Sequence, residues 1–424
     1  MKSVFLRGLA TGILAAFTVA MTLHGQEIKL GTVNGVTETV QIHGFGTQGF
    51  IHTNDNNWLT MNTSNVGSGQ FTDAGLNLSS QLTSQFRVAV QGYDRELGQL
   101  GRWHPQFDFY MADYRLKPWL GFRGGKVKTV LGLYTDTQDM DFDHTFALLP
   151  QSMYPIDLRD TSIAHRGGDI YGRARLAHNL GSVGYTAYGG ERRDSKYSGY
   201  PYLLTNVAPG VHISLGGTYG GPVWGGDLKW FTPLKGLMVG ASRQNERISG
   251  SGTLSVPAAH ISGAPYNEHS FRDWTDWIYG KYDRNKWHLA AEHKRAYQAK
   301  DIFSSEAWFD CDLRGWYGSA AYTANRWLEV GSYYSHYRAF FGGADLVPNG
   351  PHLAYPSLTG PEKHDYDKAV TGKFTINQYF TVKVEGHFMA GNGMATYPDG
   401  FYPANNPTIQ DNTNALVVRA GFSF

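Results

Sequence analysis

Apolar and polar residues alternate one for one along most of this chain, in stretches of about ten residues, while helical 3.6-residue spacing is scarce. In NALVVRAGFSF, residues 414 to 424, Leu416, Val418, Ala420, Phe422 and Phe424 share one face and Ala415, Val417, Arg419, Gly421 and Ser423 the other. Such stretches arrive in pairs, over residues 74 to 95, 106 to 134, 168 to 192, 222 to 247, 270 to 298, 307 to 341 and 364 to 390. Short polar links join each pair: near Thr83, at Lys117 and Pro118, from Asn179 to Gly181, at TPLKG, DRNK and TANR, and at Asn377 and Gln378. Long polar loops separate one pair from the next. A single strand from Val40 to Thr53 precedes the pairs and NALVVRAGFSF follows them, giving about sixteen strands. About ten residues is also the length of a tilted strand that crosses a bilayer. An even count, with short turns at one end and long loops at the other, suits a closed barrel in lipid, where every backbone polar group must be paired. The pattern therefore predicts an all-β fold, a membrane β-barrel of about 16 antiparallel strands over residues 40–424, after a short N-terminal segment at 26–39.

The same alternation assigns faces. In the last hairpin Val370, Gly372, Phe374, Ile376, Val382, Val384, Gly386 and Phe388 point to lipid, with Lys373, Lys383, Glu385 and His387 opposite. A Lys or Arg at the bilayer midplane costs about 2–4 kcal/mol, so the charged face is expected to line water. This sorting turns Arg87 and Gln91, Lys126 and Lys128, Arg173 and Arg175, Asp227 and Lys229, Glu292 and Lys294, Glu329 and Arg419 inward, and likewise Asp310, Asp312 and Arg314. The interior is then polar, a channel rather than a packed core. Asp113 and Asp276 fit neither face and mark a bulge, a loop end or a subunit contact. Trp230, Trp274, Trp287, Trp327 and Tyr379 recur beside strand ends, where a membrane-interface girdle lies.

The opening residues have another character. Lys2 and Arg7 precede an apolar run from Leu9 to Leu23, too short for the roughly 20 residues of a spanning helix, so residues 1–25 are expected to be a signal peptide cleaved after Ala20 or Gly25. Cys311 is the single cysteine, which excludes an intramolecular disulfide. With 37 basic and 36 acidic residues there is no bulk charge to attract nucleic acid. Glycine at 52 residues and aromatics at 14% suit tight turns and interface belts.

Little in the chain suggests chemistry. GFRGG and GGPVWGG lack the strand-to-helix context of a phosphate cradle. His288 with Glu292, or Glu385 with His387, share an inner face but have no third ligand nearby, so neither metal nor cofactor is expected. Alternation sends Cys311 toward lipid, between inward Asp310 and Asp312. No spacing selects a catalytic triad, and no enzyme activity is expected. A barrel enzyme remains an alternative, as does an adhesion or anchoring barrel working through the loops at 193–221, 248–269, 342–363 and 391–412.

GFGTQGF (44–50), NDNNWL (54–59), GLNLSSQLTSQFRVAVQGYDRELG (75–98), GFRGGKVKTVLGLYTDTQD (121–139) and LLPQSMY (148–154) resemble a porin-like branch of the sixteen-stranded bacterial outer-membrane porins. The resemblance implies a homotrimer in the outer membrane of a diderm bacterium, surrounded by lipid and lipopolysaccharide. It also implies a third loop folded into the lumen, and a terminal Phe424 read by the outer-membrane assembly machinery. Counted independently, the third loop covers about 135–167 and is the longest of the eight. It carries Asp136, Asp139, Asp141, Asp143, Asp157 and Asp160, with His144, Arg159, His165 and Arg166. By resemblance it lies beside Lys126, Lys128, Arg173 and Arg175. Opposed acidic and basic walls would set a transverse field favouring small polar solutes and ions. The expected function is passive diffusion of small hydrophilic solutes or ions, with a phosphate-, sugar- or carboxylate-specific channel as the alternative.

Overall fold

The alternating stretches become strands, apart from residues 129–134, which begin the third loop, because period two is the only backbone geometry that gives them one apolar and one polar face. The computed structural model describes residues 26–33, 36–205, 210–217, 219–302, 307–341, 360–394 and 409–424. The expected signal peptide and much of the loops at 342–363 and 391–412 lie outside the described residues. Among the described residues, nineteen strands form one sheet. They are β1 (Gln26–Val33), β2 (Val36–Thr53), β3 (Ser68–Gln81), β4 (Phe86–Leu97), β5 (Gln106–Lys117), β6 (Leu120–Lys128), β7 (Ala164–Arg175), β8 (Ser182–Asp194), β9 (His212–Leu215) and β10 (Tyr219–Phe231). There follow β11 (Leu237–Glu246), β12 (Ser249–Val256), β13 (Ile261–Arg284), β14 (Trp287–Ile302), β15 (Ala307–Asn325), β16 (Leu328–Phe341), β17 (His364–Thr375), β18 (Phe380–Ala390) and β19 (Asn412–Ser423).

Sixteen of these, all but β1, β9 and β12, make a closed antiparallel ring. The ring shuts where β19 pairs with β2, Val417 opposite Ile51 and Phe422 opposite Gly46. Phe424 extends the seam: its N–H donates to the Gly44 carbonyl at 2.9 Å and its carbonyl accepts from Gly44 at 3.2 Å. A Cβ on Gly44 would stand 2.3 Å from the Phe424 ring, so a larger residue there would have to displace that ring. β1 folds back on the start of β2, Gln26 opposite Ile42, so the segment at 26–39 contributes a strand and the first wall strand starts at Val36. β9 and β12 extend the long-loop end through pairing with each other and of β12 with β13.

The outer face is apolar as expected. Leu416, Val370, Phe388, Ile278, Trp230, Trp287 and Trp327 are all exposed, the three tryptophans beside short turns. Two expectations fail here. Tyr317 and Ala321 of β15 are buried inside, and by the same parity Cys311 is buried on the inner side while Asp312 and Arg314 point outward. The charge rule misleads on β15 because Asp312 bonds Arg295 at 2.8 Å and Arg314 at 2.7 Å, so each of these charges has an opposite partner beside it on the outer wall. Asp276 also faces outward, paired with Arg243 at 3.2 Å, while Asp113 faces inward to the Tyr171 hydroxyl at 2.5 Å. Nor is the interior uniformly polar. Ile51, Trp58, Met61, Phe71, Leu97, Leu148 and Val417 form one buried apolar cluster, and Leu131, Leu149, Met153, Trp277, Tyr279 and Tyr317 another. Both form because loops bring apolar residues inside the ring, where burial of each large side chain is worth about 1.5–3 kcal/mol.

Candidate functional site

The third loop, residues 129–163 between β6 and β7, runs through the inside of the barrel and carries three short 3-10 turns, Thr135–Thr137, Asp141–Asp143 and Ile156–Thr161. It leaves the wall through Gly132, whose φ of 60° is left-handed. A Cβ there would sit 2.5 Å from the Glu292 carboxylate and 2.6 Å from the Trp277 ring. That close approach lets Glu292 accept the Leu133 N–H at 2.9 Å, together with the hydroxyls of Tyr154 at 2.6 Å and Tyr317 at 2.8 Å.

The loop then crosses to β16–β19. Lys383, fully buried, pairs with Asp141 at 2.9 Å and donates to the carbonyls of Asp141 at 2.6 Å and Phe146 at 3.0 Å. Arg419 reaches the same carboxylate at 3.0 Å, donates to the Ala147 carbonyl at 3.0 Å and pairs with Asp73 at 2.8 Å. Glu385 accepts the N–H groups of Ala147 at 2.9 Å and Leu148 at 3.1 Å, and is bridged by His387 to Asp367 at 3.0 and 2.8 Å. Lys373 donates to the Phe142 carbonyl at 2.6 Å, and Glu329 accepts from Thr145. On the way back, Lys294 donates to the Met153 carbonyl at 2.7 Å and Ser152 bonds Ser335 at 2.7 Å. The returning limb closes on the opposite wall, where Arg159 grips Asp108 through two bonds of 3.0 and 2.7 Å and Arg95 pairs with Asp160 at 2.9 Å.

Lys383, Glu385, His387, Arg419, Asp141, Glu292, Arg159 and Asp108 are buried, and taking such charges from water costs several kcal/mol per ion unless a partner sits beside each. The loop groups record the balance. Burial alone would raise the Asp141 carboxyl, but Arg419 and Lys383 hold it below the ordinary range. Burial, with Lys383 nearby, drives His144 down to about 4, and its Nε2 bonds the Thr137 carbonyl at 2.8 Å.

Glu292, Glu329, Glu385, Lys373, Lys383 and Arg419 thus meet on one lattice, as loop anchors rather than free lumen charges. The expected acidic rim changes in kind. Asp139 and Asp141 are buried, Asp139 against Lys128 at 2.6 Å, while Asp143 is exposed and Asp136 partly so. Lys126 is a correction: it shares the outer face of β6 with exposed Phe122, while Val127, expected outside, is completely buried. Its ammonium escapes lipid where β5 and β6 part, donating to the Phe107 carbonyl at 2.6 Å. Lys128 holds the loop because β6 leaves the wall at that residue. Arg173 and Arg175 do face inward, but near the short-turn end and away from the loop; Arg173 bonds Ser182 at 2.8 Å and lies 3.7 Å over Phe231. Arg87 is inward on β4, in register with Asp113, Arg123 and Asp169. Sequence reasoning missed Asp108 and Arg95 as loop holders, since no local pattern links them to residues 159 and 160.

No protein-family model matches the chain, and no curated protein matches it. Solved structures do. OmpT, an outer membrane protein of Vibrio cholerae, superposes at TM-score 0.54 with 10% identity, over 94% of this chain and 100% of that one. The outer membrane channel DcaP of Acinetobacter baumannii gives 0.53 and 10%, over 95% and 100%. OmpF of Salmonella typhi, in complex with daunomycin, gives 0.53 and 13%, over 94% and 100%. At these identities the likeness speaks for architecture alone. The chain has the closed sixteen-stranded β-barrel fold of the outer-membrane porins.

Proposed function

We propose that this barrel is an outer-membrane diffusion channel for small hydrophilic solutes and ions, with a preference for small anions. One observation carries the reading. The third loop is tied down on the inward charges of β14–β19 and on Arg95, Asp108 and Lys128 of β4–β6, whereas none of the bonds of Arg87, Arg123, Arg173, Arg175 and Lys229 reaches it, so the part of the β4–β10 wall that these five residues line stays free of the loop. With Asp139 and Asp141 already neutralised, the water-facing charge on that free wall is mainly basic, and rings of basic side chains favour anions. The chain is exported through residues 1–25, assembles with Phe424 at its closing seam, and works as a homotrimer with its long loops outward. Planar-bilayer recording tests the reading: stepwise conductance with a reversal potential displaced toward the anion is expected. A folded barrel that conducts nothing would sink it.

A further inference from the structure

The third loop is not alone inside the ring. The loop that follows β8 also turns inward and carries a short helix, α1 (Gly199–Thr205). It is fastened at three places. Before the helix, the Tyr197 carbonyl accepts the Gly101 N–H at 3.1 Å and the Tyr197 ring stacks on His104 at 3.6 Å, which ties the loop to the β4–β5 connection. Gly199 then lies flat on the returning limb of the third loop, where a Cβ would collide with the Asp157 carbonyl oxygen. Tyr202 and Ile156 of that limb both pack against the apolar cluster of Ile51, Trp58 and Leu97. The third fastening is on another wall. Lys300 of β14, buried, donates to the Tyr200 hydroxyl at 2.5 Å and the Tyr219 hydroxyl at 2.9 Å, and pairs with Glu268 of β13 at 3.2 Å. Tyr219 and Tyr266 donate to the same carboxylate, and the Tyr200 and Tyr219 rings stack at 5.0 Å.

These anchors span the mouth. Arg95 and Asp108 hold the returning limb on β4 and β5, whereas Tyr219, Glu268 and Lys300 stand buried inside β10, β13 and β14 near their long-loop ends. A segment fastened to both crosses the long-loop entrance over the wall lined by Arg123, Arg173 and Lys229, the side that the third loop leaves free. A buried ion pair, three tyrosines and a close backbone contact hold it, so it is a fixed strap rather than a loop tip in solvent. Its sequence, GYPYLLT, carries no charged side chain. Such a strap discriminates by width, not by the sign of the solute's charge.

We infer that α1 is a second size filter in series with the third loop, positioned by Gly199, Tyr200 and Lys300; the inference rests on the diffusion-channel reading. The test places the full barrel in liposomes and compares swelling in a neutral monosaccharide and a neutral trisaccharide. Deleting Gly199–Thr205 should raise the trisaccharide rate relative to the monosaccharide rate at least about threefold, because passage through an aqueous pore depends on its diameter. Tyr200→Ala, which removes the latch and no charge, should move the ratio the same way, with the reversal potential at the parent's value in both. Heat-modifiable gel mobility reports that each variant barrel closes, and cleavage within residues 138–150 reports the state of the third loop. A parental ratio in both closed variants overturns the filter. So does a raised ratio seen only together with faster cleavage of the third loop, which would return the effect to that loop. A closed parent barrel that passes neither sugar would instead strike at the channel reading itself.

Discussion

Lys383 of β18 and Asp141 of the third loop, 242 residues apart in the chain, meet at 2.9 Å with the lysine fully buried. Their contact requires both barrel closure and an inward loop. Lys383→Met leaves Asp141 with Arg419 alone and frees two loop carbonyls; breaking a buried pair costs about 3–5 kcal/mol, less what Arg419 retains. Faster proteolysis within residues 138–150 and a rise in single-channel conductance are expected. Conductance identical to the parent would mean that the loop does not limit the passage.

The returning limb depends on Arg159 and Asp108, bonded through the two terminal guanidinium nitrogens. Arg159→Met strands a buried carboxylate, whereas Arg159→Met with Asp108→Leu removes both charges. The double variant should recover much of the roughly 3–5 kcal/mol lost by the single one, as apolar replacements of buried pairs do. Urea unfolding of refolded barrels in micelles measures both.

Acid should loosen the loop in two stages. His144 titrates near 4 in the folded protein, so unfolded chains hold its proton more tightly. Its contribution is complete above about pH 6.5 and declines, by up to about 3 kcal/mol, as the pH falls toward 4. Asp141, held below the ordinary carboxylate range, keeps its share until the pH drops further. Loop proteolysis followed from pH 7 to 4 should therefore accelerate, and His144→Gln should flatten the profile. A variant with the parent's profile would remove His144 from the effect.

Gly132→Ala would place a methyl carbon against Glu292 and Trp277 at a φ of 60°. The strain is worth about 1–3 kcal/mol and would pull Leu133 off Glu292. Tryptophan fluorescence should shift as Trp277 loses its packing.

Arg123→Glu and Arg173→Glu test the free wall. Each should move the reversal potential toward the cation without changing loop proteolysis, since neither residue bonds the loop. Lys126→Glu, on the outer face of β6, should move it little.

The alternation by itself determined the sixteen crossings, the hairpin links and the outward set of Leu416, Val370 and Phe388. It also determined the inward set of Glu292, Glu385, Lys383 and Arg419. It could do so because a charge facing hydrocarbon is too costly to tolerate, which makes face assignment a local decision along each strand. The same rule failed at Lys126, where β5 and β6 part, and at Cys311, Asp312 and Arg314, where neighbouring opposite charges lower that cost on the outer wall. Only the tertiary structure decided what the inward charges do. Whether Asp141 faces water or Lys383, and whether Glu385 lines a pore or holds the Ala147 and Leu148 N–H groups, depends on contacts made across a closed ring. Period two carries no information about which strands stand opposite one another, and that opposition is the physical origin of the site.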